Sequence, residues 1–187
     1  MSKFIDIDRV EVNKMFNDFL ESSKDDNIKN IENLENIIRK DPNFFDPYLI
    51  LHDNYISVGD LKKASSILGQ GYENALKLIL KDGEFPTQLL WAESNNRHII
   101  KIIYNYAMFL WTMSEYENAL YIFMQLLKAD NEDKIGARYY ILAILEQFEN
   151  IDHFEEHFKI NETQNIDSWF MKKAKNYEPI LGWWLEL

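Results

Sequence analysis

Between Arg97 and Asp133 apolar residues recur at helical spacing on both sides of a two-residue interruption. No other stretch restricts the chain as strongly. Ile99, Ile103, Ala107 and Leu110 form one stripe; Tyr116, Ala119, Leu120, Phe123, Leu126 and Leu127 form a second. The interruption, Ser114-Glu115, predicts a tight turn, and Ser114 with Glu117 reads as a capping box opening the second helix. So short a turn sets the helices antiparallel, with Ala107 and Ala119 small enough for close approach. Ile100, Trp111 and Met124 lie off the shared seam, so one hairpin cannot bury its own apolar surface. Stacking on further hairpins is the expected remedy.

These residues resemble the tetratricopeptide repeat, a two-helix unit of about 34 residues. The match runs through Ile103, Tyr106, Ala107 and Leu110, then Tyr116, Ala119, Phe123 and Leu126, and closes at Asn131. Leu126 stands where alanine is usual and Asn131 where proline is usual. A second copy reads Tyr48, Leu51, His52, Tyr55, the turn Gly59-Asp60, then Leu61, Ala64, Leu68 and Gly71, with His52 at a position normally small. Trp91, Asn96–Ile100 and Asn131–Tyr140 together are similar to a narrower group of short prokaryotic tetratricopeptide-like proteins. The resemblance implies an all-α, right-handed α-α superhelix of degenerate hairpins whose first helices line a concave groove for a protein or peptide. Mapped onto this sequence, the groove would present Leu49, Asp53, Lys101, Tyr104, Asn105, Met108, Trp111, Arg138 and Tyr139. Lys101, Asn105 and Arg138 resemble part of a carboxylate clamp. Leu49 and Asp53 replace its remaining lysine and asparagine, so the clamp is incomplete.

The length of 187 residues suits one continuous repeat array. Residues 6–44 read as a degenerate helix pair, one helix over 6–21 and another from Asn27 to the Asp41-Pro42 stop, with a break over Ser22–Asp26. Residues 46–82 form the next repeat, with Asp46 as cap, Pro47 in the first turn and Gly83 as a left-handed terminator. Ala64 and Ala119 then stand 55 apart (119 − 64), about 21 more than one repeat. The excess falls in the extended second helix and the 83–96 insertion, whose Leu89-Leu90-Trp91 cluster either packs over helix ends or forms a binding surface. After the 97–133 repeat, residues 134–187 hold end helices: one capped by Asp133, one opened by an Asp152/Glu155 capping box, then a polar linker over Asn161–Asn165. Trp169, Trp183 and Trp184 mark an aromatic C-terminal cap.

Net charge is −11 and the pI about 4.8, which opposes binding to phosphate backbones and favours basic or apolar polypeptides. The densest basic cluster, Lys172-Lys173-Ala174-Lys175, reads as a solvated helix face, and Arg97, His98 and Lys101 as a small surface patch. With no cysteine there is neither thiol nucleophile nor disulfide. The first residues lack an apolar signal core and no window reaches membrane-spanning length, so the expected setting is cytoplasmic. His153-Phe154-Glu155-Glu156-His157 fits the H-x-x-E-H pattern and offers a zinc hydrolase as an alternative. Its own capping box and the apolar Phe154 and Phe158 favour an amphipathic end helix instead. Gly69-Gln70-Gly71 falls inside a helix, where close packing accounts for Gly71. The reading is a non-enzymatic binding protein without metal or cofactor, a monomer or a weak homodimer joined through the aromatic tail.

Overall fold

The computed structural model describes residues 2–22, 27–160 and 165–186, the side chains of residues 27–29 and 160 excepted. Most of the expected break over Ser22–Asp26 and of the 161–165 linker lies outside the described residues. What is described is helical: α1 (Val10–Ser22), α2 (Asn27–Lys40), α3 (Asp46–Ser57), α4 (Leu61–Ile79), α5 (Arg97–Thr112), α6 (Tyr116–Ala129), α7 (Ala137–Leu145), α8 (Ile151–Ile160), α9 (Ile166–Lys173) and α10 (Glu178–Leu185). Among these residues β structure is confined to isolated bridges, Lys3 with Gln88 and Lys81 with Glu84. No helix among them is long and apolar enough to cross a membrane. The helices gather into two compact units, Met1–Tyr106 and Ala107–Leu187, divided within α5.

In the first unit α1 packs on α2, α2 on α3 and α3 on α4, each against its neighbour in sequence. Pro47 occupies the first turn of α3, where a missing N–H costs nothing, but Phe45 takes the cap position and Asp46 makes no cap bond. The turn between α3 and α4 is a left-handed terminator. Gly59 has φ +76°, its N–H bonds to Ile56 O at 3.0 Å, and the Asp60 N–H bonds to Tyr55 O at 2.9 Å. Asp60 then caps α4 by accepting from Lys63 N. His52, at the position expected to be small, donates from Nδ1 to Ala64 O at 3.0 Å and so ties α3 to α4. Gly71 permits the close approach of α4: a Cβ there would stand 2.9 Å from Ile102 Cδ1 and 3.2 Å from Tyr48 Cδ1. One residue on, Tyr72 stacks on Tyr106 with centroids 4.1 Å apart.

Helix α4 ends earlier than expected, at Ile79. Gly83 does take positive φ, but as half of a two-residue hairpin turn with Asp82 (φ 55° and 82°), closed by two backbone bonds between Lys81 and Glu84. The insertion is packed at Leu89, which is fully enclosed. It is held there by the N-terminal segment, expected as helix from residue 6 but running outside any helix until Val10. Phe4 N bonds to Gln88 O at 2.9 Å, and Asn96, wholly buried, donates to Phe4 O and accepts from Asp6 N.

In the second unit α6 packs on α7, and α7 on α9. Ala107, Ala119 and Phe123 are fully enclosed, as the stripes require, whereas Tyr116 is exposed. Ser114 does not open α6. It takes φ +62° at the end of α5, its N–H on Trp111 O and the Glu115 N–H on Leu110 O: the same terminator as at Gly59. The α6 cap position falls to Glu115, which makes no side-chain cap bond. Gln147 repeats this geometry after α7, with φ +66° and bonds from Gln147 N to Ile144 O and Phe148 N to Ala143 O. Helix α8 is capped by Asn150 through His153 N, not by Asp152. Helix α7 begins at Ala137, later than expected, with the left-handed Gly136 at its cap position making no side-chain bond. Asp133 instead reaches forward to accept from Ala137 N at 2.7 Å and Arg138 N at 3.2 Å. The tail closes the unit with buried Trp169, Phe170 and Leu181, and Tyr177 Oη donates to Leu145 O, the end of α7.

Candidate functional site

The residues expected to line a groove are engaged within their own units. In the first unit Leu49 and Tyr104 are half-buried and Asp53 exposed. Lys101 Nζ lies 3.1 Å from Asp46 Oδ1, and Asn105 Nδ2 donates to the Lys101 carbonyl at 2.8 Å. In the second unit Met108 is half-buried. Trp111 does not line a surface: it is 0% exposed, and its indole N–H is satisfied by Phe148 O at 2.9 Å. So large an apolar ring gains more from core burial than from solvent, provided its N–H finds an acceptor. Arg138 is saturated, with Nη1 2.8 Å from Asp133 Oδ2, a contact to Asp167, and a guanidinium 4.1 Å from the Tyr139 ring centroid and 4.9 Å from that of Trp184. Burial, with Asp167 beside it, pushes the Tyr139 hydroxyl up to about 12, while Arg138 pulls the other way. Burial also raises the Asp133 carboxyl against the lowering pull of Arg138 and two backbone N–H groups. These are the ties of a structural corner. The incomplete carboxylate clamp is thus further reduced, because both of its cations and its amide already have partners.

The Arg97, His98, Lys101 patch also reads differently in three dimensions. His98 is buried, 3.0 Å from Asp6 Oδ2 through Nε2, and its Nδ1 accepts from Phe45 N at 3.2 Å. That backbone donor fixes the tautomer: the proton sits on Nε2 and is donated to Asp6. Arg9 bridges Asp6 and Asp41. A cleft of about 300 Å³ beside this network is lined by Asn13, Ser94, Asn95, Arg97 and Lys101 as well. Of its cations, Arg9 is paired with two aspartates and Lys101 with Asp46, while Arg97 donates to the Trp91 carbonyl at 3.1 Å, so the network spends most of its charge on fastening the N-terminal segment.

A different surface, in the second unit, is open and largely apolar. Ile151, Phe154 and Phe158 recur at helical spacing on α8 and, with Tyr140 of α7 and Ile166 of α9, line a furrow of about 500 Å³. Phe154, 3% exposed, forms its floor, braced by Trp169 at 5.5 Å and by Tyr140 at 6.1 Å between centroids. Phe158 stands half-buried 5.1 Å from Phe154. Glu155 and Lys159, paired at 3.2 Å, edge the opening. The volume lies within the range of small-ligand and anchor-residue pockets. The sequence signalled this stripe only as apolar residues needing burial; the half-buried wall depends on α7 and α9 meeting α8.

The histidines of the H-x-x-E-H pattern face elsewhere. His153 and His157 each pack edge-on against Phe148, with centroids 5.3 Å away, and Glu156 is exposed. Among the described residues no three histidine, aspartate or glutamate side chains converge as a metal-binding group. No protein-family model, curated protein or solved structure matches this chain.

Proposed function

We propose that this chain is a binding protein for polypeptides, a scaffold of tetratricopeptide-like hairpins whose second unit seats an apolar anchor side chain of its partner. The carrying observation is the furrow of Tyr140, Ile151, Phe154, Phe158 and Ile166, aromatic in its floor and wall and charged only at its edge. Aromatic pockets of this kind concentrate binding energy in one or two buried side chains. The recurrent terminator at Gly59, Ser114 and Gln147, the last two 33 apart (147 − 114), supports the hairpin-repeat reading and its superhelical stacking. The net charge of −11 favours an anchor flanked by basic residues.

Selection from a displayed random-peptide library tests this reading. Enriched peptides are expected to carry an aromatic or branched aliphatic residue near lysine or arginine. Phe158→Gln is expected to weaken the best of them about tenfold or more. Glu155→Lys should weaken basic peptides by less, since exposed charge pairs contribute little. No enrichment, or undiminished binding to folded Phe158→Gln, removes the furrow as the seat.

A further inference from the structure

The backbone of the N-terminal segment is fastened at alternate residues, and the side chain of Lys3 adds an ion pair to Glu93 at 2.7 Å. Ser2 O accepts from Gln88 N at 3.3 Å, Phe4 N donates to Gln88 O at 2.9 Å, Phe4 O accepts from Asn96 Nδ2, Asp6 N donates to Asn96 Oδ1, and Asp6 O accepts from Asn95 Nδ2. In an extended chain the N–H and C=O of one residue point to the same edge, and those of its neighbours to the opposite one. Every inward backbone bond here belongs to an even-numbered residue. Lys3, Ile5 and Ile7 make no backbone hydrogen bond among the described residues. Ile5 and Ile7 are 50% and 68% exposed, with Ile7 at the rim of the cleft beside the Asp6 network. The segment therefore presents the backbone N–H and C=O groups of Lys3, Ile5 and Ile7 as an unpaired edge, with the exposed Ile5 and Ile7 side chains beside it. Natural edges are normally blunted by charge, proline or a bulge, and here the one charge among these odd-numbered residues, Lys3, is paired with Glu93.

We infer that this edge pairs with the same edge of a second copy of the chain, antiparallel and centred on Ile5. The sequence around Ile5 is self-complementary in that register. Ile5 faces Ile5, Lys3 faces Ile7, Phe4 faces Asp6 and Ser2 faces Asp8, so no like charges stand opposite each other. The free groups of Lys3, Ile5 and Ile7 supply about six backbone hydrogen bonds across the two-fold axis. Asp6 stays beneath the strand with His98 and Arg9, so pairing leaves the fastening intact. Three residues from each chain make a small interface, which places the association in the weak, concentration-dependent class.

The experiment is sedimentation equilibrium from about 10 μM to about 1 mM, joined to amide exchange measured residue by residue at both ends of that range. Wild type is expected to pass from monomer towards dimer, with the Ile5 and Ile7 amides gaining about tenfold protection. Phe4 and Asp6 amides should be protected equally at both concentrations. Ile5→Pro removes only an outward N–H and keeps an extended backbone, so it should be monomeric with Phe4 and Asp6 still protected. Ile7→Pro is read the same way should the first variant release the segment. A wild type monomeric throughout, a dimer that survives proline on a still-fastened segment, or added protection on Phe4 and Asp6 instead would each overturn the inference. Phe158→Gln is expected to leave the association unchanged, which separates this result from the furrow's.

Discussion

Asp6 carries more of the first unit than its place near the start of the chain suggests. Its side chain is 2% exposed between Arg9 and His98. Burial works against its charge, but the hydrogen bonds from His98 and Arg9 outweigh that and hold its carboxyl below the usual range. A carboxylate with a lowered folded pKa stabilises fully above its unfolded value of about 4, and that contribution fades as pH falls through the folded value. Asp133 has the opposite sign: with its pKa raised, its contribution fades as pH rises from the unfolded value towards the folded one. Asp6→Asn should accordingly flatten the loss of stability in acid, and Asp133→Asn should steepen it, both read from denaturant titrations between about pH 2.5 and 6. Arg9→Met strands Asp6 and Asp41 together and is expected to cost about 3 kcal/mol at pH 7. None of this was visible in the sequence, where Asp6 and His98 lie 92 residues apart.

At the scale of the element, three hairpin turns share one backbone geometry with different residues at the left-handed position. Gly59 occupies it freely, whereas Ser114 and Gln147 hold positive φ against their Cβ atoms. Ser114→Gly should stabilise by up to about 1 kcal/mol, and Gly59→Ala should destabilise by about as much, although nothing would touch the added methyl. Gly71→Ala reverses the usual helix preference. Alanine gains about 1 kcal/mol of propensity but drives its methyl into Ile102 and Tyr48, so a net loss of roughly 1–2 kcal/mol is expected. The stripes of α5 and α6, the Asp41-Pro42 stop and the Pro47 start were legible because they are local patterns. The caps were not. Serine serves equally as an N-cap and at a left-handed terminus, and what decides between them at Ser114 is where α5 runs out, at Thr112. Asn150, two residues before the assumed cap, took the bond expected of Asp152 for a similar reason.

At the scale of the whole molecule, periodicity foretold the helices of the described residues, but not which side chains remain available for binding. Of the tail's tryptophans, Trp169 is buried while Trp183 and Trp184 stay half-buried. A mapped position carries no information about its partners: Trp111 went to the core and Arg138 to a corner shared with Asp133 and Asp167. The furrow needed three helices to meet, and the outward edge of the N-terminal segment needed Asn95 and Asn96 to accept and donate from across the chain. Net charge acts at this scale too. Screening the −11 should raise stability, and the proposed pairing should strengthen between about 20 mM and 300 mM salt, since like-charged copies repel less.

The turn at Asp82-Gly83 offers a practical opening. Its four residues, Lys81 to Glu84, are all exposed, and its flanks already exchange both backbone bonds. A foreign segment spliced there would begin and end at neighbouring points, so a flexible tag or reporter of about 20 residues should add little beyond loop-closure entropy, on the order of 2–3 kcal/mol. That makes it a handle for immobilising or labelling the protein with the N-terminal segment and the aromatic tail both left unmodified.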